Sequence, residues 1–354
     1  MGLAVAILAD GTAADDLVAG ADSIEVHERI GEATTYRIRY PIDEADDDFP
    51  LLIDGRLDPG ASLTIAVPAP EDPDVLVKGQ VYGQQVRFKH NVTGSYLDIL
   101  GGDLTLEMDR ELVAKIWPAS SAVSDAVTGI IGNYDSVTPD VETLSITTAD
   151  NGHLLVQRDT DLRFVRRLSR RYGYWFWVTT DTEDVTTAHW KRPPLDDDPA
   201  AALILNADAN NVDVLDLEWD VERPNTAFAA QLGVRDLAAI AGDVDRSPLT
   251  PLGKTPLSEL TEPRGIQVIA PADTAADSRA RAEGALIESG WFIRARGQTS
   301  MRQLGACLHA HTLVTVNGIG TRHSGTYVVA GVRHVIDNDA HLMHFELVRN
   351  AWGG

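Results

Sequence analysis

A single cysteine, Cys307, occurs in 354 residues, so the chain can form no internal disulfide. Alone among apolar neighbours, it is expected to be a small buried hydrophobe and not a reactive thiol. No apolar run approaches the ~18 to 20 residues needed to cross a bilayer as a helix. The closest candidate, Leu3 to Ala9, is short, has no basic residues before it and runs into acids. It is expected to be a first strand and not a signal peptide, which implies a protein made and assembled in a cytoplasm. Positive charge is scarce: 30 Lys and Arg stand against 53 Asp and Glu, a net charge of −23. Phosphate binding is driven by Lys and Arg, so stable association with nucleic acid is not expected. The acids serve solubility or, more pointedly, form a wall past which a polyanion slides without sticking. Motifs of catalysis are missing too. There is no G-x-S-x-G elbow and no H-E-x-x-H pair, and the glycines of Val316 to Gly325 lead into a strand where a dinucleotide loop needs a helix. No catalytic residue, cofactor or metal is assigned.

What is present is enough apolar residue, 44% of the chain, to bury cores in two or three domains. Residues 1–108 look all-β. Ser23 to Tyr40 alternates with period two around Gly31. Ser62 to Val67, Val75 to Lys89, Tyr96 to Leu100 and Leu104 to Met108 supply further strands, punctuated by Gly and Pro. The acidic stretch Pro41 to Pro50 is expected to be a solvated loop, and it does not have the glycine turn and closing Glu of a calcium loop.

Residues 109–200 change character. Ser121 to Gly132 fits a helix capped by Ser121 or Ser124, and an extended acidic linker follows around Pro139 to Glu142. A second helix spans 161–172, with acids at its positive end, an apolar stripe of Leu162, Val165, Leu168 and Tyr172, and a stop at Gly173. Tyr174 to Val178 is then a strand too aromatic to be exposed. The proline-rich, charged span Lys191 to Ala200 marks a boundary. Residues 201–354 return to strands: Leu203 to Leu205, Val212 to Trp219, Ala227 to Val234 and three or four more from Trp291 onwards. A long loop is expected over 239–264, and an alanine-rich helix near 274–289.

Five arginines, Arg163, Arg166, Arg167, Arg170 and Arg171, crowd one helix of an acidic chain. Neighbours at i,i+4 repel by a few tenths of a kcal/mol each. Solvent and nearby acids offset that, or the helix docks on an acidic surface of another subunit; the five are the candidate subunit contact. The histidines gather late, at His309, His311, His323, His334, His341 and His344. His309 and His311 are expected on one strand face, as ordinary strand histidines and not as metal ligands.

The order of these parts resembles the hub proteins of contractile injection machines: phage late-control D proteins, the related baseplate hubs, and the N-terminal part of VgrG spikes. The resemblance rests on Leu76 to Val86, Ser121 to Tyr134, the matches Asp161, Phe164, Leu168, Gly173 and Tyr174, the helix Ala280 to Ile287, and Gly325, Tyr327, Val329, Val332 and His334. It implies an α+β, mostly β fold, with two tube-like β-barrel domains (1–108 and 201–354) and an inserted α/β middle domain (109–200). It further implies a homotrimer, whose six barrels form a ring joining a six-fold inner tube to a three-fold spike. Its partners would be the inner tube protein, a separate spike protein and baseplate wedge proteins, in a virion tail or a phage-tail-like particle. The end of the chain at Gly354 leaves no room for a fused spike, which is why a separate one is expected. Barrel edges are expected to pair between subunits. Two other classes compete: a β-rich carbohydrate- or ligand-binding tail protein with Trp175, Trp177 and Trp190 as an exposed platform, and a metal hydrolase built on the late histidines.

Overall fold

The structure, a computed structural model, describes residues 3–42, 49–69, 73–89, 94–148, 152–206, 208–232, 239–269 and 271–354. Most of the acidic loop 41–50, and the end of the strand expected at 227–234, lie outside these residues. The fold is mostly β, and thirteen strands form one sheet. Its order is Val214–Trp219, Ile293–Ser300, His341–Arg349, Gly325–Asp337, Ser23–Arg29, Thr35–Pro41, Tyr96–Gly102, Asp74–Arg87, Ser62–Val67, Ala6–Ala9 and Thr12–Ala13, every neighbour antiparallel. Leu313–Asn317 and, parallel to it, Ala201–Ile204 branch from this path.

The pivot is Gly325–Asp337. Its first residues pair with Leu313–Asn317, and its last seven pair with Ser23–Arg29. The register to its other neighbour shifts between Val329 and Gly331, where the strand changes partner. A bulge adds twist and bends the strand, which lets one strand serve two neighbours on one edge. Sequence-remote ends of the chain therefore share a ladder. They also share a core: Ile24, Val26, Ile38, Leu63, Leu97, Val332, Ile336, Phe345 and Leu347 belong to one buried cluster. Period two explains it, since Ile24 and Val26, Val332 and Ile336, and Met343, Phe345 and Leu347 all point inward. Each such side chain stabilises the fold by roughly 1.5–3 kcal/mol on burial.

A second core lies within residues 108–190, with one residue from the alanine-rich helix. Helices Val123–Ile131 and Asp161–Tyr172 pack there with the hairpin Trp175–Thr180 and Thr186–Lys191. The alanine-rich helix, Ala275–Ser289, links this core to the short strands Thr226–Phe228 and Ala239–Ala241. Thr274 caps it by accepting from Asp277 N at 3.1 Å. The buried Asp277 accepts from Tyr172 Oη at 2.9 Å and from Arg281 at 2.8 and 2.7 Å. The approach is close: a Cβ at Gly284 would lie 2.6 Å from the Arg171 carbonyl oxygen. Gly173, at φ 71°, supplies the left-handed stop of the facing helix.

Several local expectations are corrected. Leu104–Met108 is a short helix and not a strand, because Asp103 accepts from Thr105 N and caps it. Neither Ser121 nor Ser124 caps Val123–Ile131; the Asp125 carboxylate takes the Ala122 N–H instead. The stretch around Pro139 is not a linker. Val137–Val141 is an edge strand parallel to Thr186–Lys191, a position where a proline without N–H is tolerated. The span 239–264 contains a short strand, Ala239–Ala241, and a one-turn helix, Leu257–Leu260. His309 and His311 lie on a loop, with His311 at φ 71°.

In an open helix Gly→Ala gains up to about 1 kcal/mol. At Gly284 the sign is expected to reverse, because overpacking costs about 1–3 kcal/mol. Thermal melts of Gly284→Ala should show a lowered midpoint; an unchanged or raised midpoint would contradict the close helix contact.

Candidate functional site

The arginine helix forms as its pattern dictates. Thr160 accepts from Arg163 N at 3.3 Å, and Leu162, Phe164, Val165, Leu168 and Tyr172 are buried. That leaves the arginines on the remaining surface. Arg163 lies 3.1 Å from Asp109, and Arg167 pairs with Asp159 and stacks 5.2 Å from the Phe164 ring. Arg166 is half-buried, its pKa lowered by that burial, and its Nε makes no hydrogen bond. Arg170 is exposed, and Arg171 lies 6.0 Å from the Tyr172 ring. Arg166 and Arg170 border a cleft of about 320 Å³ that Trp175, Glu288, Trp291 and Arg294 also line. The tertiary structure thus brings acids to Arg163 and Arg167, where exposed pairs contribute at most about 1 kcal/mol.

A larger cleft, about 760 Å³, opens where the middle hairpin faces the main sheet. Glu28, Asp74, Trp177, His189, His309 and His311 line it. Trp177 is stacked between His189, at 4.7 Å between ring centroids, and His311, at 4.6 Å. The His189 Nδ1 is 2.7 Å from Asp140 Oδ2. Burial lowers the pKa of His189 and pushes that of His311 down to about 4. Trp175 and Trp190, by contrast, are buried, so the three tryptophans form no exposed platform.

Glu28, Asp74 and His309 of this cleft belong to a cluster of ionisable groups that continues behind it. Glu28 is 9% exposed. Its carboxylate accepts from Ala310 N at 3.1 Å and lies 3.1 Å from His309 Nδ1 and 3.3 Å from His334 Nε2. Asp74 is 3.0 Å from His309 Nε2, and His334 Nδ1 is 3.0 Å from His341 Nε2. Cys307 completes the group. Burying these charges singly would cost several kcal/mol each, so they are held only as a set. Burial opposes ionisation of Glu28, but His309 and His334 overcome it and hold its pKa well below the carboxylate range. Burial likewise opposes protonation of His334, whose pKa is nonetheless pushed up to about 9 by Cys307 and Glu28. His341 is pushed down to about 4 by burial and by the neighbouring His334 and His309.

Sequence reasoning missed this cluster, although a signal was present. Glu28 continues the inward phase of Ile24 and Val26, His334 sits between Val332 and Ile336, and His341 precedes Met343 and Phe345 in phase. Three ionisable residues at inward positions of adjacent strands must meet partners inside.

This sheet and its inserted helical core have solved counterparts. A tail protein from Neisseria meningitidis MC58 superposes with a TM-score of 0.68 at 15% identity, covering 99% of this chain and 97% of that one. The 43 kDa tail protein of prophage MuSo2 from Shewanella oneidensis gives 0.65 at 14%, covering 98% of each chain. An E. coli component of the type VI secretion system gives 0.60 at 13%, covering 94% of this chain and 75% of that one. At such identities the likeness shows the fold alone, a fold shared with tail and secretion-system proteins. No curated protein matches the chain. Residues 2–338 match the family described as the Alg8 N-terminal domain, and the chain belongs to that family. The family's name states neither an activity nor a partner.

Because both imidazoles around Trp177 are held neutral, acid should loosen the stack. A histidine whose folded pKa is depressed contributes stability above its unfolded value near 6.5, and that stability is lost as pH falls through the folded value, about 4 for His311. Asn tolerates the left-handed backbone at position 311. His311→Asn is therefore expected to melt below wild type at pH 7, with the gap narrowing between pH 6.5 and 4. A gap independent of pH would contradict a neutral, stacked His311.

Proposed function

We propose that this chain is the structural hub of a contractile injection machine, a phage tail or phage-tail-like particle. In this reading it is a homotrimer that joins a six-fold inner tube to a three-fold spike. Residues 1–108 and 201–354 each contribute a tube-like barrel, and 109–200 is the middle domain between them. The partners are the inner tube protein, a separate spike protein and baseplate wedge proteins. The observation that carries the reading is fold likeness over nearly the whole of both chains with the Neisseria and Shewanella tail proteins. A Francisella PdpA–VgrG complex also contains a chain of this fold, at a TM-score of 0.58 and 8% identity, with 58% of that chain covered.

Exposed strand edges support assembly. Val214–Trp219 has one ladder partner among the described residues, and it exposes Val214 at 49% and Trp219 at 52%. The end of Asp74–Arg87 runs past Ser62–Val67 and exposes Tyr82 and Val86. Such edges invite pairing with another chain. Arg163, Arg166, Arg167, Arg170 and Arg171 are proposed to face an acidic neighbouring subunit. Arg170, exposed on this helix at the cleft it shares with Glu288, is the one to test.

Light scattering at near-physiological salt is expected to give a mass near three times 38.3 kDa, or that mass plus the bound spike when the spike protein is present. Val214→Lys and Arg170→Glu should each shift that mass towards the monomer while leaving the melting midpoint within a few degrees. A monomer under both conditions would sink the trimeric reading.

A further inference from the structure

We infer that the buried Cys307, His334 and His341 form a divalent metal site, suited to Zn²⁺, at the junction of the two halves of the main sheet. This inference stands on the side-chain cluster and does not depend on the hub reading. One ligand atom from each of the three residues lies within 4.8 Å of the others, and Cys307 and His334 are buried at 8% and 0% exposure. His341 is 9% exposed. A thiolate with two imidazoles is a donor set that favours zinc over magnesium or calcium.

The geometry of the imidazoles fits a shared ion. His334 Nδ1 and His341 Nε2 are 3.0 Å apart. Tetrahedral zinc with bonds of about 2.0–2.1 Å places two nitrogens roughly 3.3 Å apart, so a few tenths of an ångström of relaxation suffices. The far nitrogen of His334, Nε2, is buried and makes no hydrogen bond, yet it faces the Glu28 carboxylate at 3.3 Å. A metal-bound histidine commonly presents its second nitrogen to a carboxylate in this way, which fixes the ring and raises its basicity. Glu28 is thus a positioning residue and not a ligand. Three protein ligands leave one tetrahedral position for a solvent oxygen.

Charge agrees with the same assignment. Glu28 and Asp74 bring two negative charges to the cluster, beside His309 and His334. A divalent cation would offset these carboxylates and the ligating thiolate in part. Its binding releases the thiol proton, as a thiolate ligand requires. Asp74 and His309 lie at the cleft side of the cluster, with side chains 35% and 25% exposed, and offer an entry path. The consequence is mechanical. Cys307 lies on the loop before Leu313–Asn317, His334 on the pivot strand, His341 on its hairpin partner, and Glu28 on the strand from the chain's first part. One ion would tie the first three directly and the strand of Glu28 through His334.

The full chain, treated with chelator and desalted, would be titrated with Co²⁺ and then Zn²⁺. The expected result is one equivalent per chain, a near-ultraviolet thiolate-to-cobalt band with tetrahedral visible bands, displacement of cobalt by zinc, and a higher melting midpoint with zinc. Cys307→Ser should abolish the thiolate band, His341→Gln should abolish stoichiometric binding, and Glu28→Gln should weaken affinity about 10–100-fold. Far-ultraviolet circular dichroism would confirm that each variant is folded; if His341→Gln is not, Cys307→Ser decides. Absence of stoichiometric binding by the wild-type chain overturns the proposal. So does binding that survives both Cys307→Ser and His341→Gln, since the ion would then sit on other groups.

Discussion

The antiparallel ladder between Ser23–Arg29 and Gly325–Asp337 is the constraint on which the other features depend. It joins residues about three hundred positions apart and converts two sets of strands into one sheet over one core. Closing so long a loop is entropically unfavourable, though the cost grows only slowly with length. Inward apolar side chains on both strands, Ile24 and Val26 against Val332 and Ile336, offset it. The bulge near Ala330 then decides where the pivot strand leaves one neighbour for the other. Without that change of partner, the loop carrying Cys307, His309 and His311 would not lie over Glu28.

The ladder also explains why ionisable groups collect at its middle. Inward positions on the joined strands are mostly apolar, but Glu28, His334 and His341 share that phase. Each would be a costly defect alone. Brought together, they satisfy one another, and the cost becomes a geometric demand: the two halves must meet in one register. A slip by one residue would turn the whole set to the opposite face. The middle hairpin closes over this region, with Trp177 stacked between His189 and His311.

Much of the local structure was legible. The helix Asp161–Tyr172 and its glycine stop follow from an apolar stripe and a left-handed cap, both short-range effects. The strands Ser23–Arg29, Thr35–Pro41 and Ser62–Val67 follow from alternation and from their turns. Errors fell where a short segment had no dominant pattern. Leu104–Met108 is too short for periodicity to separate helix from strand, and Asp103 decided it through a cap. Val137–Val141 contains a proline and acids, yet it pairs because Thr186–Lys191 offers it an edge.

The mostly β class, the arginine helix, the burial of Cys307 and the acidic character follow from the residues alone, because they rest on side-chain chemistry and on contacts within a few residues. That both ends of the chain share a sheet, that Arg163 meets Asp109, and that Cys307 stands among imidazoles follow only from how distant segments pack. Strand pairing and side-chain clustering depend on which distant segments meet. Hydrophobic alternation specifies which face of a strand is buried, but it does not specify which strand it is buried beside.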